Sequence, residues 1–323
     1  MFLLRFDMRA AEGPAARPDL YKTAVEMSAW GEENGCLAVV LSEHHRSPDG
    51  YIPSPLILAS AIAARTKSLS IQIAALLPIL HEPIRLAEDI AVLDIMSEGR
   101  VSYVMGLGYR PEEFDMFGVP MKGRGKRMEK QLQAIKQALK GEPFEYEGRN
   151  VHLTPSPFTP GGPLMYMGGS TSAAARRAAR CDMGLYAQYY DTALEQTYRD
   201  ECARLGIKPK DCMIPPAGVV TSAFVAEDPD HAWAEIGDRL LHDARIYAEW
   251  LGDSPSASKA TATTVKELRA NPGPYQIFSV EEAITYTKKN GILVTQPLCG
   301  GIPPETAWKS LELIKDKVLP AIS

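Results

Sequence analysis

No two of the five cysteines, at positions 36, 181, 202, 212 and 299, form a Cys-x-x-Cys pair or share a ligand spacing with histidine. That absence argues against zinc modules and disulfide scaffolds. A scattered, odd set reads as reduced thiols filling a core, in keeping with a cytoplasmic protein. Charge of one sign is also missing: 35 Lys and Arg face 40 Asp and Glu, a net charge of -5. A basic face is the electrostatic footprint of nucleic acid, so no such partner is expected. No apolar run is long enough to span a bilayer, so no membrane partner is expected either. Met1-Phe2-Leu3-Leu4 runs at once into Arg5 and Asp7, unlike a secretory signal. What remains is 323 residues, 45% hydrophobic and 23% charged, the composition of a soluble globular protein.

Short apolar runs alternate with helical patterns along the whole chain. Strands are expected at 3–8, 36–41, 69–77, 101–105, 164–167, 183–187, 217–226 and 292–294. Gly13-Pro14 breaks the loop after the first. Helices follow, with Asp19 as an expected cap, Ser54-Pro55 opening the second, Glu82-Pro83 the third, and Asp191, Asp228 and Ser279 capping later ones. A hairpin is expected over 144–153, turning at Gly148. Residues 252–278 are poor in apolar side chains and read as an insertion or lid. Eight strands each followed by a helix favour an α/β fold, a (β/α)8 TIM barrel with insertions, as a single domain over 1–323. A doubly wound sheet would carry a glycine-rich turn after its first strand, where this chain has Arg9-Ala10-Ala11.

Four stretches carry candidate chemistry. The second strand ends in Ser42-Glu43-His44-His45, and the carboxyl ends of parallel strands are where α/β proteins build sites. His44 is a candidate acid or base and Glu43 its candidate orienter. His81, His152, His231 and His242 show no ligand pairing, so no metal is expected. Ala74-Ala75, small residues ending the third strand, suit either tight packing or a flat ligand. Gly106-Leu107-Gly108-Tyr109-Arg110 permits close ligand approach, while Arg110 reaches an anion or pairs with Glu113. Gly168-Gly169-Ser170-Thr171 opens a helix, where unobstructed backbone N–H groups bind phosphate or simply start the helix.

Taken together, these blocks resemble the bacterial-luciferase-like flavin or deazaflavin oxidoreductases. Leu41-Ser42-Glu43-His44-His45 carries the resemblance, as do Leu93-Asp94-Ile95-Met96-Ser97-Glu98-Gly99-Arg100 and Gly106 through Phe114, then Gly168-Gly169-Ser170. The resemblance implies a barrel with flavin at the carboxyl ends of the strands and a cis peptide at Ala74-Ala75 behind the ring. It places His44 near the reactive ring and the phosphate end at Gly168-Gly169-Ser170. Where the luciferase branch has a phosphate-binding arginine this chain has Leu107, so Arg110, Arg124 or backbone donors take that role. The implied protein is an FMN-using monooxygenase of a small organic substrate, served by a separate flavin reductase and dimeric through outer helices. Tyr109, Tyr189 and Tyr190 are candidate pocket walls. The rival readings are a deazaflavin (factor 420) dehydrogenase or reductase on the same fold, and a non-catalytic flavin-binding protein.

Overall fold

A computed structural model describes residues 1–13, 15–271 and 273–322. Pro14, read as a breaker, Pro272 inside the expected insertion, and Ser323 lie outside the described residues. In chain order the strands are β1 (Phe2–Phe6), β2 (Cys36–Leu41), β3 (Ser70–Leu76), β4 (Val101–Met105), β5 (Phe144–Tyr146), β6 (Arg149–Val151), β7 (Met165–Gly168), β8 (Gly184–Tyr186), β9 (Cys212–Met213), β10 (Ser222–Val225), β11 (Tyr275–Phe278) and β12 (Leu293–Thr295). All but β5 and β6 pair in parallel, with helices in most of the connections, so the molecule is of the α/β class.

The chain divides into two compact units. The first comprises Met1–Pro53 and Pro216–Ser323. Its strands run in the order β11-β10-β12-β1-β2. β1 is the pivot: Phe2, Leu4 and Phe6 are buried, and Phe2 packs its ring 6.0 Å from Trp30 on the helix Pro18–Glu33. The helix Pro229–Leu251 is the longest element of this unit. It buries Trp233, Ile236, Leu240, Ala244, Tyr247 and Leu251, the spacing of one apolar face. Asp228 caps its start by accepting from the His231 amide.

The second unit, Ser54–Pro215, carries β3-β4-β7-β8-β9 in that order. The β5–β6 hairpin pairs Phe144 with Val151 and Tyr146 with Arg149. Its two-residue turn, Glu147-Gly148, has positive φ at both positions, the geometry that matches the strand twist.

The expected elements and the observed ones differ in a few places. Tyr275–Phe278, placed at the end of the insertion, is a sheet strand that pairs residue for residue with β10. It is only four residues long, with buried Tyr275 and Ile277 alternating with Gln276 and Phe278, so an average over the polar segment before it hides it. Of the remainder, 252–264 holds neither helix nor strand, and Val265–Ala270 is a helix capped by Thr264. Two-residue β9 was not expected, and 217–226 contracts to Ser222–Val225. Asp191 and Ser279 cap as expected, Ser279 in a reciprocal capping box with Glu282. Ser54 occupies the N-cap of Pro55–Arg65 without a side-chain bond, and Arg17 rather than Asp19 stands at the first helix's N-cap.

Candidate active site

The first unit gathers a buried polar cluster just past the ends of β1 and β2. Glu43, His44 and His45 follow β2 and are all buried, Glu43 to 1% exposure. Glu43 Oε1 meets His45 Nε2 at 2.8 Å, so the imidazole that this carboxylate is seen to hold is that of His45. Glu43 thus holds the neighbouring imidazole of His45, one residue beyond the His44 that it was expected to orient. His44 stands instead among aromatic rings. Its ring centre lies 4.9 Å from Tyr51 edge-on, 4.8 Å from Trp250 and 6.2 Å from Tyr247. The loop that carries it turns back onto β1: the His44 amide donates to the Ile52 carbonyl, and the Ile52 amide to the Asp7 carbonyl.

Beside these rings lies Arg9, fully buried. Its Nη1 approaches Asp243 Oδ1 at 2.8 Å, and its Nε stands 3.4 Å from Asp49 and 3.9 Å from Asp7. None of these approaches lines up with an N–H, so they are ion pairs without hydrogen-bond directionality. The guanidinium carbon lies 4.7 Å from the Tyr51 ring centre, 5.0 Å from Tyr247 and 4.9 Å from Trp250. The Tyr51 and Tyr247 hydroxyls are 2.9 Å apart, and the Tyr275 hydroxyl donates to Asp243 Oδ2 at 2.6 Å. Ser222 donates to Gln296 Oε1, and Gln296 Nε2 donates to Asp7 Oδ2 at 2.7 Å. At the margin, His242 Nε2 meets Asp49 Oδ2 at 2.9 Å.

The electrostatics follow from burial and charge count. Burial and the facing Asp243 push the Asp7 carboxyl up to about 7, against the pull of Arg9. Burial works against the charged form of Asp49 as well. There the His242 hydrogen bond and the Arg9 charge win, and its carboxyl lies below the usual range. Arg9 is held cationic by Asp243 and Asp7 despite its burial. Burial drives Tyr247, Tyr275 and Cys299 well above their ordinary values. Ligand atoms of Asp7, Asp243 and Cys299 lie within 4.8 Å of one another, a spacing a metal ion could use. Arg9 already supplies the cation at Asp243, and the Cys299 thiol is kept protonated, so the cluster reads as a filled ion-pair site.

The remaining candidates lie in the second unit. The Ala74-Ala75 peptide is cis, as the resemblance implies. A Cβ on Gly106 would lie 2.8 Å from Ala75 Cβ, and one on Gly108 would lie 2.9 Å from the Phe114 ring. Both glycines therefore make room for protein neighbours. Arg110 is buried and paired with Glu113 at 3.1 Å. Tyr109 is half-buried and Tyr190 exposed. Thr171 caps the helix Ser172–Arg180 by accepting from Ala174 N, and Ser170 Oγ accepts from Gln188 N at 2.6 Å. The Tyr189 hydroxyl donates to the Ser170 carbonyl at 3.2 Å, while Gly168 ends β7 and Gly169 has φ +139°.

Arg124 opens the helix Arg124–Ala138, and its buried Nε has no hydrogen-bond partner among the described residues. Arg177, on the Ser172 helix, is buried against Gly125 and its Nε is likewise unbonded. Burial, Arg180 and Arg124 depress the Arg177 guanidinium, and Glu129, 3.5 Å away, only partly offsets them. Positive charge is in surplus there.

Several residues of the first cluster escape a reading of local motifs: Asp7, Arg9, Asp49, Tyr51, Asp243, Tyr247 and Trp250. A signal for the last three exists. Asp243, Tyr247 and Trp250 recur at i, i+4 and i+7, one helical stripe that mixes an acid with two large rings. Asp7 and Arg9 flank the end of β1, where two charges after an apolar strand mark a site as clearly as Glu43-His44 does.

The sequence profile of luciferase-like monooxygenases matches residues 2–274. Among curated proteins, y4vJ of Sinorhizobium fredii is 27% identical over 135 residues, 42% of this chain and 38% of that protein. The match thus spans well under half of that relative's length. The oxygenating constituent of 3,6-diketocamphane monooxygenase from Pseudomonas putida, solved with FMN, superposes with TM-score 0.70 at 19% identity, covering 100% of this chain and 98% of that one. A factor 420-dependent secondary alcohol dehydrogenase, solved with a cofactor–acetone adduct, gives TM-score 0.68 at 15% identity, covering 100% and 99%. These likenesses show that the fold is that of the luciferase-like TIM barrels, and with the profile match they establish that this chain belongs to the luciferase-like monooxygenase family.

Proposed function

We propose that this protein is an FMN-using monooxygenase acting on a small organic substrate, with its flavin reduced by a separate reductase. The observation that carries the reading is His44: an imidazole just past a strand end, 8% exposed and walled by three aromatic rings. An imidazole can both accept and donate a proton, and a setting poor in water suits such proton management beside a reactive ring. Taken by themselves, residues of the second unit suit a phosphate group. Among the described residues, the unbonded Nε atoms of Arg124 and Arg177, with Glu129 the acid paired to Arg177, mark surplus positive charge that a phosphate would neutralise. The start of the helix at Ser172 offers amide donors of the kind that hold phosphate.

Bound flavin would supply the redox chemistry with oxygen; the chain supplies position and proton control. His44 holds or moves the proton, and Glu43 fixes the adjoining His45. Within the second unit, Ala74-Ala75 would back a flat ring, and Arg124 and Gly168 through Thr171 would receive a phosphate. Arg110, committed to Glu113, supports the loop that carries Tyr109. The segment 252–270, which follows Trp250 closely, covers the site. The chain acts as one domain, in the cytoplasm and as a homodimer.

His44→Ala tests the reading. Turnover with reductase, reduced flavin and oxygen should fall by about 100-fold or more, the scale of a lost general acid or base, while FMN affinity stays within about twofold. Unchanged turnover would make His44 a structural residue only.

A further inference from the structure

We infer that Arg9 is the positioning residue of His44: its buried guanidinium fixes the aromatic wall against which the imidazole stands. The inference rests on the functional reading above, in which His44 handles the proton. Tyr51, Tyr247 and Trp250 serve both groups. They lie 4.7, 5.0 and 4.9 Å from the guanidinium carbon, and 4.9, 6.2 and 4.8 Å from the His44 ring centre.

A fully buried guanidinium without a single well-aligned hydrogen bond is a poor core filler, because desolvation is not recovered by directional bonds. What Arg9 does have is three ring faces and, besides Asp7 at 3.9 Å, two closer carboxylates, Asp243 and Asp49. A ring held to a cation gives up that attraction if it swings away, so the cation restricts all three rings at once. The two carboxylates come from different segments. Asp243 shares its helix with Tyr247 and Trp250; Asp49 shares its loop with His44 and Tyr51. Arg9 therefore ties the helix Pro229–Leu251 to the loop after β2, and the imidazole stands at that junction. Asp7, Arg5, Tyr275 and His242 complete the charged and titratable surroundings.

The test is the side-chain NMR spectrum of imidazole-labelled full-length protein, with the His44 signal assigned by its loss in His44→Gln. Ring currents from Tyr51 and Trp250 displace that signal in the wild type. Arg9→Met keeps the bulk and removes the cation. The His44 signal should then move toward those of exposed His152 and His231, or broaden, while theirs stay in place. Arg9→Lys restores a cation without the planar fork and should give an intermediate position. Turnover should fall roughly tenfold or more in kcat with KM little changed, as expected of a misplaced rather than missing group. A folded Arg9→Met protein whose His44 signal and kcat match the wild type overturns the inference. If Arg9→Met does not fold, Arg9→Lys decides by the same signal: displaced, it supports the positioning role; unmoved, it refutes it. A displaced signal together with full activity in His44→Ala would leave the positioning intact and remove the functional reading instead.

Discussion

Asp243→Asn should destabilise the protein, and by less at pH 8 than at pH 5. Asp243 is completely buried; one carboxylate oxygen lies 2.8 Å from Arg9 Nη1 and the other accepts from Tyr275 at 2.6 Å. At an effective dielectric constant of about 20, two unit charges at that separation attract by about 6 kcal/mol. Asp49, at 3.4 Å from Arg9, remains as a counter-ion, so the loss should approach the roughly 3–5 kcal/mol typical of a broken buried pair. An asparagine that keeps its oxygen toward Tyr275 turns its amide on the Arg9 guanidinium, donor against donor. The pH dependence comes from Asp7. Its folded value, about 7 against an ordinary 3.8, makes the folded wild type bind more protons than the unfolded chain between those values. Asp7 therefore adds stability at acid pH that is lost as the pH rises toward 7. Removing the Asp243 charge lets Asp7 ionise and take over as partner to Arg9, so the variant lacks that decline. Thermal unfolding at pH 5 and pH 8 reads both effects. At roughly 2 °C per kcal/mol for a chain of this size, the midpoint should fall by about 6–10 °C at pH 5 and by less at pH 8. A variant within about 2 °C of wild type at both pH values, or a larger loss at pH 8, refutes the reasoning.

Arg124→Ala should weaken FMN binding by about tenfold and leave riboflavin, which lacks the phosphate, unaffected; fluorescence titration distinguishes the two, and equal losses would show that Arg124 acts on the fold instead. Gly106→Ala should cost about 1–3 kcal/mol, because the new methyl group lies 2.8 Å from Ala75 Cβ and 3.0 Å from Leu77 Cδ2; a neutral effect in thermal unfolding would mean that β3 yields at that point.

Much of the fold is legible in the sequence because parallel strands buried on both sides are short apolar runs. β1, β2, β3 and β4 stand out on that pattern alone. β11 does not, since a four-residue strand gives too few alternations against a polar approach segment. At the site, Glu43 and His44 are conspicuous because charge at the end of an apolar strand has no packing purpose. The Glu43–His45 contact is not legible: two adjacent imidazoles follow one carboxylate, and only the folded loop brings Glu43 Oε1 within 2.8 Å of His45 Nε2. The Arg9 cage is hidden for another reason. Its members come from three distant segments, and their spacing in sequence carries no trace of a shared ion pair. At Gly106 and Gly108 the packing demand is not legible either, because Ala75 and Phe114, which leave no room for a Cβ, are not marked by any local pattern.

Equilibrium binding of oxidised FMN, reduced FMN and the deazaflavin cofactor to the purified protein tests the central claim most directly. The account predicts that FMN is preferred, and reduced FMN above the oxidised form. Preference for the deazaflavin would replace the oxygenase reading with hydride transfer on the same fold, and binding of none of the three would contradict the flavin reading itself.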